Sequence, residues 1–364
     1  MEISKIKKTS LICILVLTGL CSLLLFAFML GRSLKIADVA YADKNMISNS
    51  KSATELPLLS EEEIPTSISR KTDIGDTVVF LLPANVHYED LRFENNYLDK
   101  TFNIYIKSDA KSPCSAKGIF SNGFVEKADT YYFEAAGEVC VRLLFKDFYE
   151  YETEIEDEYI LIRPVLPKKK YKKLLLIDPA DAKKNTDAVC RLAQNIKADI
   201  ESNTEDIRVY VLNSESTGYS ADKIRDFVEK AGIDYYMAIQ LPEGVGTARA
   251  ETYFNDEYYI SGYGNLSFAA DIVQKIHETK EVSAGGVFSL KSLLEGENKL
   301  SDIAYLHVSG QLEVIKNINT TAAFLKIDCV NDASNDGKKR LADIAKAVSA
   351  SIRDIVNDGA SEVK

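Results

Sequence analysis

The chain of 364 residues has no tryptophan and only three histidines. His87, His277 and His307 are far apart, and each is read as a structural residue. A metal centre built chiefly on imidazole therefore has little material. None of the six cysteines forms a C-x-x-C pair, which removes the usual zinc-ribbon and dithiol spacings. A basic excess is also missing: 44 Lys and Arg stand against 55 Asp and Glu, a net charge of −11. Such a chain is a poor partner for nucleic acid, and a poor adsorbent to anionic lipid or anionic wall polymer. Nor is there a phosphate-binding glycine loop, since Gly244 and Gly246 lie in LPEGVG with no helix start after them.

What is present begins with an apolar N-terminal run. Lys5, Lys7 and Lys8 precede residues 11–30, a stretch of 20 without a charge. At about 1.5 Å per residue it spans the roughly 30 Å of a hydrocarbon core. The lysines favour an inside N-terminus, a bias that Arg32 and Lys35 weaken. An uncleaved anchor is expected. The alternative is a signal peptide cleaved near Ala42, after Ala40-Tyr41-Ala42. Either way the remainder lies outside the membrane. Cys21 follows bulky Leu20 and is no lipidation site; Cys13 shares the apolar run. Of the other cysteines, Cys114 and Cys140 are the plausible local disulfide. Cys190 and Cys329 are left as a second pair or two thiols.

Hydrophobic residues make up 46% of the chain, enough for a sizeable core, and the length suits two domains. The expected order is a cytoplasmic N-terminus (1–10), a transmembrane anchor (11–30), a flexible stalk (31–72), an all-β module (73–166), a basic linker (167–173), an α/β domain (174–358) and a tail (359–364). The stalk lacks periodicity and is rich in Ser, Glu, Lys and Asn. In the module, TVVFLL, TFNIYIK, TYYF, VCVRLLF and YILIRP are β-type runs punctuated by Gly118, Asn122-Gly123 and Gly137. The acidic run at 150–158 reads as a solvated hairpin tip. Beyond the linker, strands at 173–177, 208–212, 235–240, 251–254 and 322–327 alternate with helical stripes. Those stripes are Val189 to Ile200, Ser220 to Ala231, Leu266 to Ile276 and Leu341 to Ile355. Alternation of this kind implies a mostly parallel sheet flanked by helices, with a functional crevice at the carboxyl ends of its strands. Those ends carry Asp178, Asp181, Gln240, Glu243, Lys326 and Asp328.

The strand ends carry a resemblance. KLLLIDPADA is similar to an I-D-P-G-H-G-G turn, YYMAIQLPEG to a strand ending S-I-H-A-N, and AETYF to G-x-E-T-Y-Y. LEVIKNINTTAAFLKIDCVND (312–332) is similar to L-x-V-L-R-N-T-x-x-P-A-x-L-V-E-x-G-F-x-S-N. Residues 172–358 thus resemble the catalytic domain of zinc-dependent N-acetylmuramoyl-L-alanine amidases, which cut between glycan and stem peptide in peptidoglycan. No single motif is intact; the order and spacing of the series carry the likeness. The family holds zinc by His, Glu and His, with another Glu as general base. By the resemblance, the first His position is Asp181, the second is Gln240 and the base position is Lys326. The loop of the liganding Glu is shortened, and nothing in 182–187 replaces it. Glu251 matches a position near the cleft.

The chemistry of these replacements is unfavourable to hydrolysis. A Gln amide is a poor zinc ligand, and an ammonium repels a dication and accepts no proton. Without metal, a water keeps a pKa near 15.7 rather than about 7. Zinc is therefore expected to be lost, with no other cofactor, and Lys326 is expected to pair with Asp181 or Asp178 in its place. Three functions remain open. The first is a membrane-anchored pseudo-amidase that binds peptidoglycan or an envelope protein. The second is an active amidase with a rearranged metal site on Asp181, Glu243 and Asp328. The third is a regulator that binds a true amidase. Tyr131-Tyr132, Tyr235-Tyr236 and Tyr258-Tyr259 are read as sheet core and rim rather than as a sugar surface.

Overall fold

A computed structural model describes residues 64–65, 68–70, 75–82, 86–107, 118–133, 137–156, 159–179, 186–212, 219–242, 248–257, 263–291, 309–328 and 334–359. The expected transmembrane run lies outside them, as do Cys114, Cys329 and residues 360–364 of the expected tail. No described helix is long and apolar enough to cross a membrane. The chain divides into two compact units. Tyr151–Pro164 and the described residues up to Lys146 form the first; Asp147–Glu150 and those from Val165 onward form the second.

The first unit holds two five-stranded sheets. In chain order the strands are β1 (Ile64–Pro65), β2 (Ile68–Arg70), β3 (Val78–Leu81), β4 (Leu91–Asn96), β5 (Thr101–Lys107), β6 (Ile119–Ser121), β7 (Val125–Phe133), β8 (Glu138–Phe145), β9 (Glu150–Ile155) and β10 (Tyr159–Val165). One sheet runs β1-β7-β8-β5-β4 and the other β2-β6-β3-β10-β9. Alternation sends Ile104, Ile106, Val139, Val141 and Leu143 inward from the first sheet, and Phe80, Ile160 and Ile162 from the second. Tyr151 of β9 joins them, with its ring 4.7 Å from those of both Phe102 and Phe145. Two expectations change here. Residues 64–65 and 68–70, counted with the stalk, pair with β7 and β6. The acidic run is a strand over 150–155, because its acids alternate with Tyr151, Thr153 and Ile155; Glu150 and Tyr151 are buried.

Cys140 is a free, buried thiol in β8, so the expected bridge to Cys114, which lies outside the described residues, finds no support. The strand register sets it between Tyr105 and Tyr131, and burial pushes the thiol up to about 12.

The second unit is a six-stranded sheet with helices on both faces. Its elements are α1 (Pro167–Lys170), β11 (Lys173–Pro179), α2 (Thr186–Asn203), β12 (Ile207–Val211), α3 (Ala221–Ala231), β13 (Tyr235–Gln240), β14 (Arg249–Phe254), α4 (Asn265–Glu278), β15 (Ser283–Ser289), α5 (Ser309–Asn317), β16 (Thr321–Asp328) and α6 (Asn335–Gly359). The sheet order is β12-β11-β13-β16-β14-β15. Every neighbouring pair is parallel except β14 with β16. Local chemistry sets the helix ends. Ser220 caps α3 by accepting from the Lys223 amide at 3.3 Å, and Gly232 closes it at φ 73°, where a side chain is disfavoured.

The period of two sorts each strand between two faces. Leu175, Ile177, Met237, Ile239, Leu325 and Ile327 point to one face and pack with α2, α4 and α6. There Leu341, Ile344, Val348, Ile352 and Ile355 make the buried stripe of α6, each worth about 1.5–3 kcal/mol when fully buried. Thr252 ties α4 to this face by donating to the Ala269 carbonyl at 3.0 Å. The opposite face carries Leu174, Leu176, Tyr210, Tyr236 and Phe324. It is met by α3 through Phe227, 5.4 Å from the Tyr210 ring, and by α5 through Gln311, which bonds Asp178. The basic segment at 167–173 is anchored: Lys168 and Lys173 pair with Asp234, which also accepts from the Leu174 amide at 2.7 Å.

Candidate functional site

The second face ends in a row of polar residues where β11, β13 and β16 finish. Register makes Gln240 the Cα partner of Lys326, and Lys326 the partner of Glu251 on antiparallel β14. Asp328 lies one pleat further along β16, opposite Arg249. Asp178 sits one pleat back, in line with Ala238 and Phe324. Five of the seven expected cleft residues (Asp178, Gln240, Glu251, Lys326, Asp328) therefore share one face of one sheet end. Asp181 and Glu243 lie outside the described residues.

Lys326 is the centre of the row. Its ammonium stands 3.3 Å from Asp328 Oδ2 and 3.9 Å from Glu251 Oε2. Glu251 is further fixed by the Tyr253 hydroxyl, which donates to Oε2 at 2.7 Å, and by Arg249, 3.1 Å from Oε1. Burial, followed by the bond to Glu251, raises the Tyr253 phenol above its usual range. A bulge on β15 makes room for this arrangement. The register slips between Ala250 and Glu251, so Gly285 has no opposite partner. A Cβ on Gly285 would lie 2.4 Å from Glu251 Cγ and 2.8 Å from the Ala250 carbonyl oxygen.

The expected pairing of Lys326 with Asp178 does not form. Two strand spacings of about 4.8 Å each separate β11 from β16, whereas β14 brings Glu251 directly opposite. Asp178 is instead buried, at 4% exposure, accepting from the Tyr236 hydroxyl at 2.6 Å and from Gln311. Among the described residues it has no cationic partner. Burial outweighs both hydrogen bonds and raises its carboxyl above the ordinary value; burial and the neighbouring Asp178 raise the Tyr236 phenol in turn. Gln240 is 3% exposed, and its Oε1 meets no hydrogen-bond donor among the described residues.

These residues do not fit a zinc ion held in the amidase manner. The row offers one neutral amide, one ammonium and carboxylates already engaged by that ammonium and by Arg249. Among the described residues no group of three or more His, Cys, Asp and Glu could hold a metal. His87 and His277 are exposed and lie outside the row, and His307 is not among the described residues. Tyr131, Tyr235 and Tyr236 are buried in their sheets, as core residues should be; Tyr258 and Tyr259 are not described. Arg249 and Tyr253 were open to discovery, since both share a face with Glu251 at a spacing of two. Gln311 was not, since its reach to Asp178 spans more than a hundred residues of sequence.

No protein-family model matches the chain, and no curated protein is significantly similar to it. Several solved structures align with it. The catalytic domain of CwlV, an N-acetylmuramoyl-L-alanine amidase from Bacillus (Paenibacillus) polymyxa var. colistinus, is 12% identical. That alignment covers 51% of this chain and 98% of that one, with a TM-score of 0.38. An N-acetylmuramoyl-L-alanine amidase from Clostridium difficile 630 is 15% identical over 51% of this chain and 97% of its own, with a TM-score of 0.39. A bacteriophage poly-gamma-glutamate hydrolase is 8% identical over 58% and 91%, with a TM-score of 0.33. The structural neighbours are thus chiefly such amidases, at a likeness too low to carry an argument about activity.

Proposed function

We propose that the chain is a membrane-anchored envelope protein. In this reading the second unit is an amidase-like domain that binds peptidoglycan or an envelope protein without cutting the wall. The observation that carries it is the Lys326 ammonium lodged between Asp328 and Glu251. A hydrolase of this kind needs electron-pair donors there, to hold a metal and to take a proton from water. A charged ammonium does neither. The series of strand-end segments from KLLLIDPADA to AAFLKIDCVND supports the amidase-like assignment, and the uncharged run at 11–30 supports the anchor.

The test is a pair of measurements on the full chain in detergent: co-sedimentation with insoluble peptidoglycan, and release of stem peptides from the same material. Retention without release is expected. Release that a chelator abolishes would sink the reading. Neither retention nor release would move the partner from the wall to an envelope protein.

A further inference from the structure

The six-stranded sheet of the second unit ends, among the described residues, on β15 at one edge and β12 at the other. An edge strand presents a row of backbone groups to which another chain can add a strand. At β15 the bulge at Gly285 breaks the regular spacing that a new strand would need. No such break protects β12, whose register with β11 runs without a slip from Ile207 to Val211. The Leu212 amide donates to the Ile177 carbonyl, so the even-numbered amides of this segment turn toward β11 and the odd-numbered ones turn outward. The Val209 amide is thus an outward donor in the middle of a regular edge. It is already taken: Glu201 Oε1, reaching from α2, accepts from it at 3.0 Å.

Arg208 completes the closure. Val209 packs on the face shared with α2, so alternation sends Arg208 to the face of Tyr210 and α3. Glu201 and Arg208 therefore start from opposite faces of the sheet. They meet at 3.2 Å, on the same Oε1 that holds the Val209 amide. Arg208 is itself fixed by Glu150 of the same unit, 3.0 Å from its Nε. We infer that this pair is a clasp over the β12 edge, and that it keeps a second copy of the chain from adding its own β12 there. Two such edges are self-complementary about a two-fold axis, so the unclasped edge of one copy fits that of another in an antiparallel pair. The clasp closes this route to association. The inference goes beyond the proposed function and holds whether or not the unit binds the wall.

The test compares full-length wild type, Glu201→Ala and Glu201→Gln in detergent over a concentration series, with circular dichroism to confirm folding. Glu201→Ser serves as a second short variant in case the alanine protein does not fold. Light scattering after gel filtration gives the mass. Hydrogen exchange read by mass spectrometry follows the peptide that contains Val209. Wild type and Glu201→Gln, which keeps an oxygen for the amide, should hold one mass and one exchange rate at every concentration. Glu201→Ala should exchange several-fold faster at Val209 when dilute. As its concentration rises its mass should double relative to wild type, and the lost protection should return. A short-side-chain variant that keeps the wild-type mass throughout would overturn the inference. So would a doubling without renewed protection at Val209, which would put the contact elsewhere, and so would a wild type that itself gains mass and Val209 protection with concentration.

Discussion

Asp178 gives the sharpest test of how the second unit is built, because its carboxyl is buried without a cation among the described residues. Replacement by Asn keeps the shape and an oxygen to accept from Tyr236, and removes the charge. Replacement by Ala removes both. In Asp178→Ala the Tyr236 hydroxyl and the Gln311 amide each lose a buried partner, at about 1–3 kcal/mol per group. The pH dependence separates the two variants from wild type. In the unfolded chain Asp178 ionises near 3.9. In the folded chain burial raises its pKa, so over the interval between the two values the folded state holds the proton and the unfolded state does not. Wild-type stability from this group is therefore complete below the unfolded value and falls as pH rises, by at most about 1.4 kcal/mol per pH unit, until the folded value is reached. Asp178→Asn has no such loss. The measurement is denaturant unfolding of both proteins across a pH series, followed by circular dichroism and by hydrogen exchange of β11 and β13. The Asn variant should match wild type near pH 4 and gain on it steadily above that. A stability difference independent of pH, or one that moves in favour of wild type as pH rises, would show that Asp178 is ionised and compensated, and the argument would be wrong.

Three further outcomes follow from the same geometry. Gly285→Val should lower stability by about 1–3 kcal/mol and displace Glu251, because its Cβ meets the Ala250 carbonyl as well as a side chain; thermal melting reads the first effect and a crystal structure the second. Cys140 should resist alkylation at pH 8 in the native protein and react once denaturant is added, since a thiol pushed up to about 12 holds almost no thiolate there; peptide mapping by mass spectrometry checks it. Asp234→Ala should speed tryptic cleavage within 168–173 several-fold, because Asp234 pairs with Lys168 and Lys173 and accepts from the Leu174 amide; timed digestion followed by mass spectrometry reads the cut.

The legible parts of this chain are those whose causes are local. TFNIYIK at 101–107 is β5, and the Ser220 start and Gly232 stop of α3 stand where cap chemistry puts them. Segments that depend on distant partners were not legible. SAGGVFS has little β-type patterning, yet it forms edge strand β15, since β14 supplies its ladder and Gly285 absorbs the bulge. LEVIKN is too short to show a helical stripe, and α5 is defined by Val314 and Ile315 meeting a core that the sequence does not display.

The site divides the same way. Period two and strand order placed Gln240, Lys326 and Asp328 at one sheet end, and the charge of Lys326 alone argued against a metal there. Its nearer partner, Asp328, stands two residues along the same strand; the second partner was beyond that reasoning. A lysine at the tip of β16 has carboxylates on offer in several directions, and only the antiparallel entry of β14 makes Glu251 its neighbour. Asp178, the more conspicuous acid in the sequence, is claimed by Tyr236 and Gln311 and shielded from the ammonium by two strand widths. The opposing charges and the same-strand partner Asp328 were thus readable from residue identity and period two, but the second carboxylate is decided by strand direction, a property of the assembled sheet.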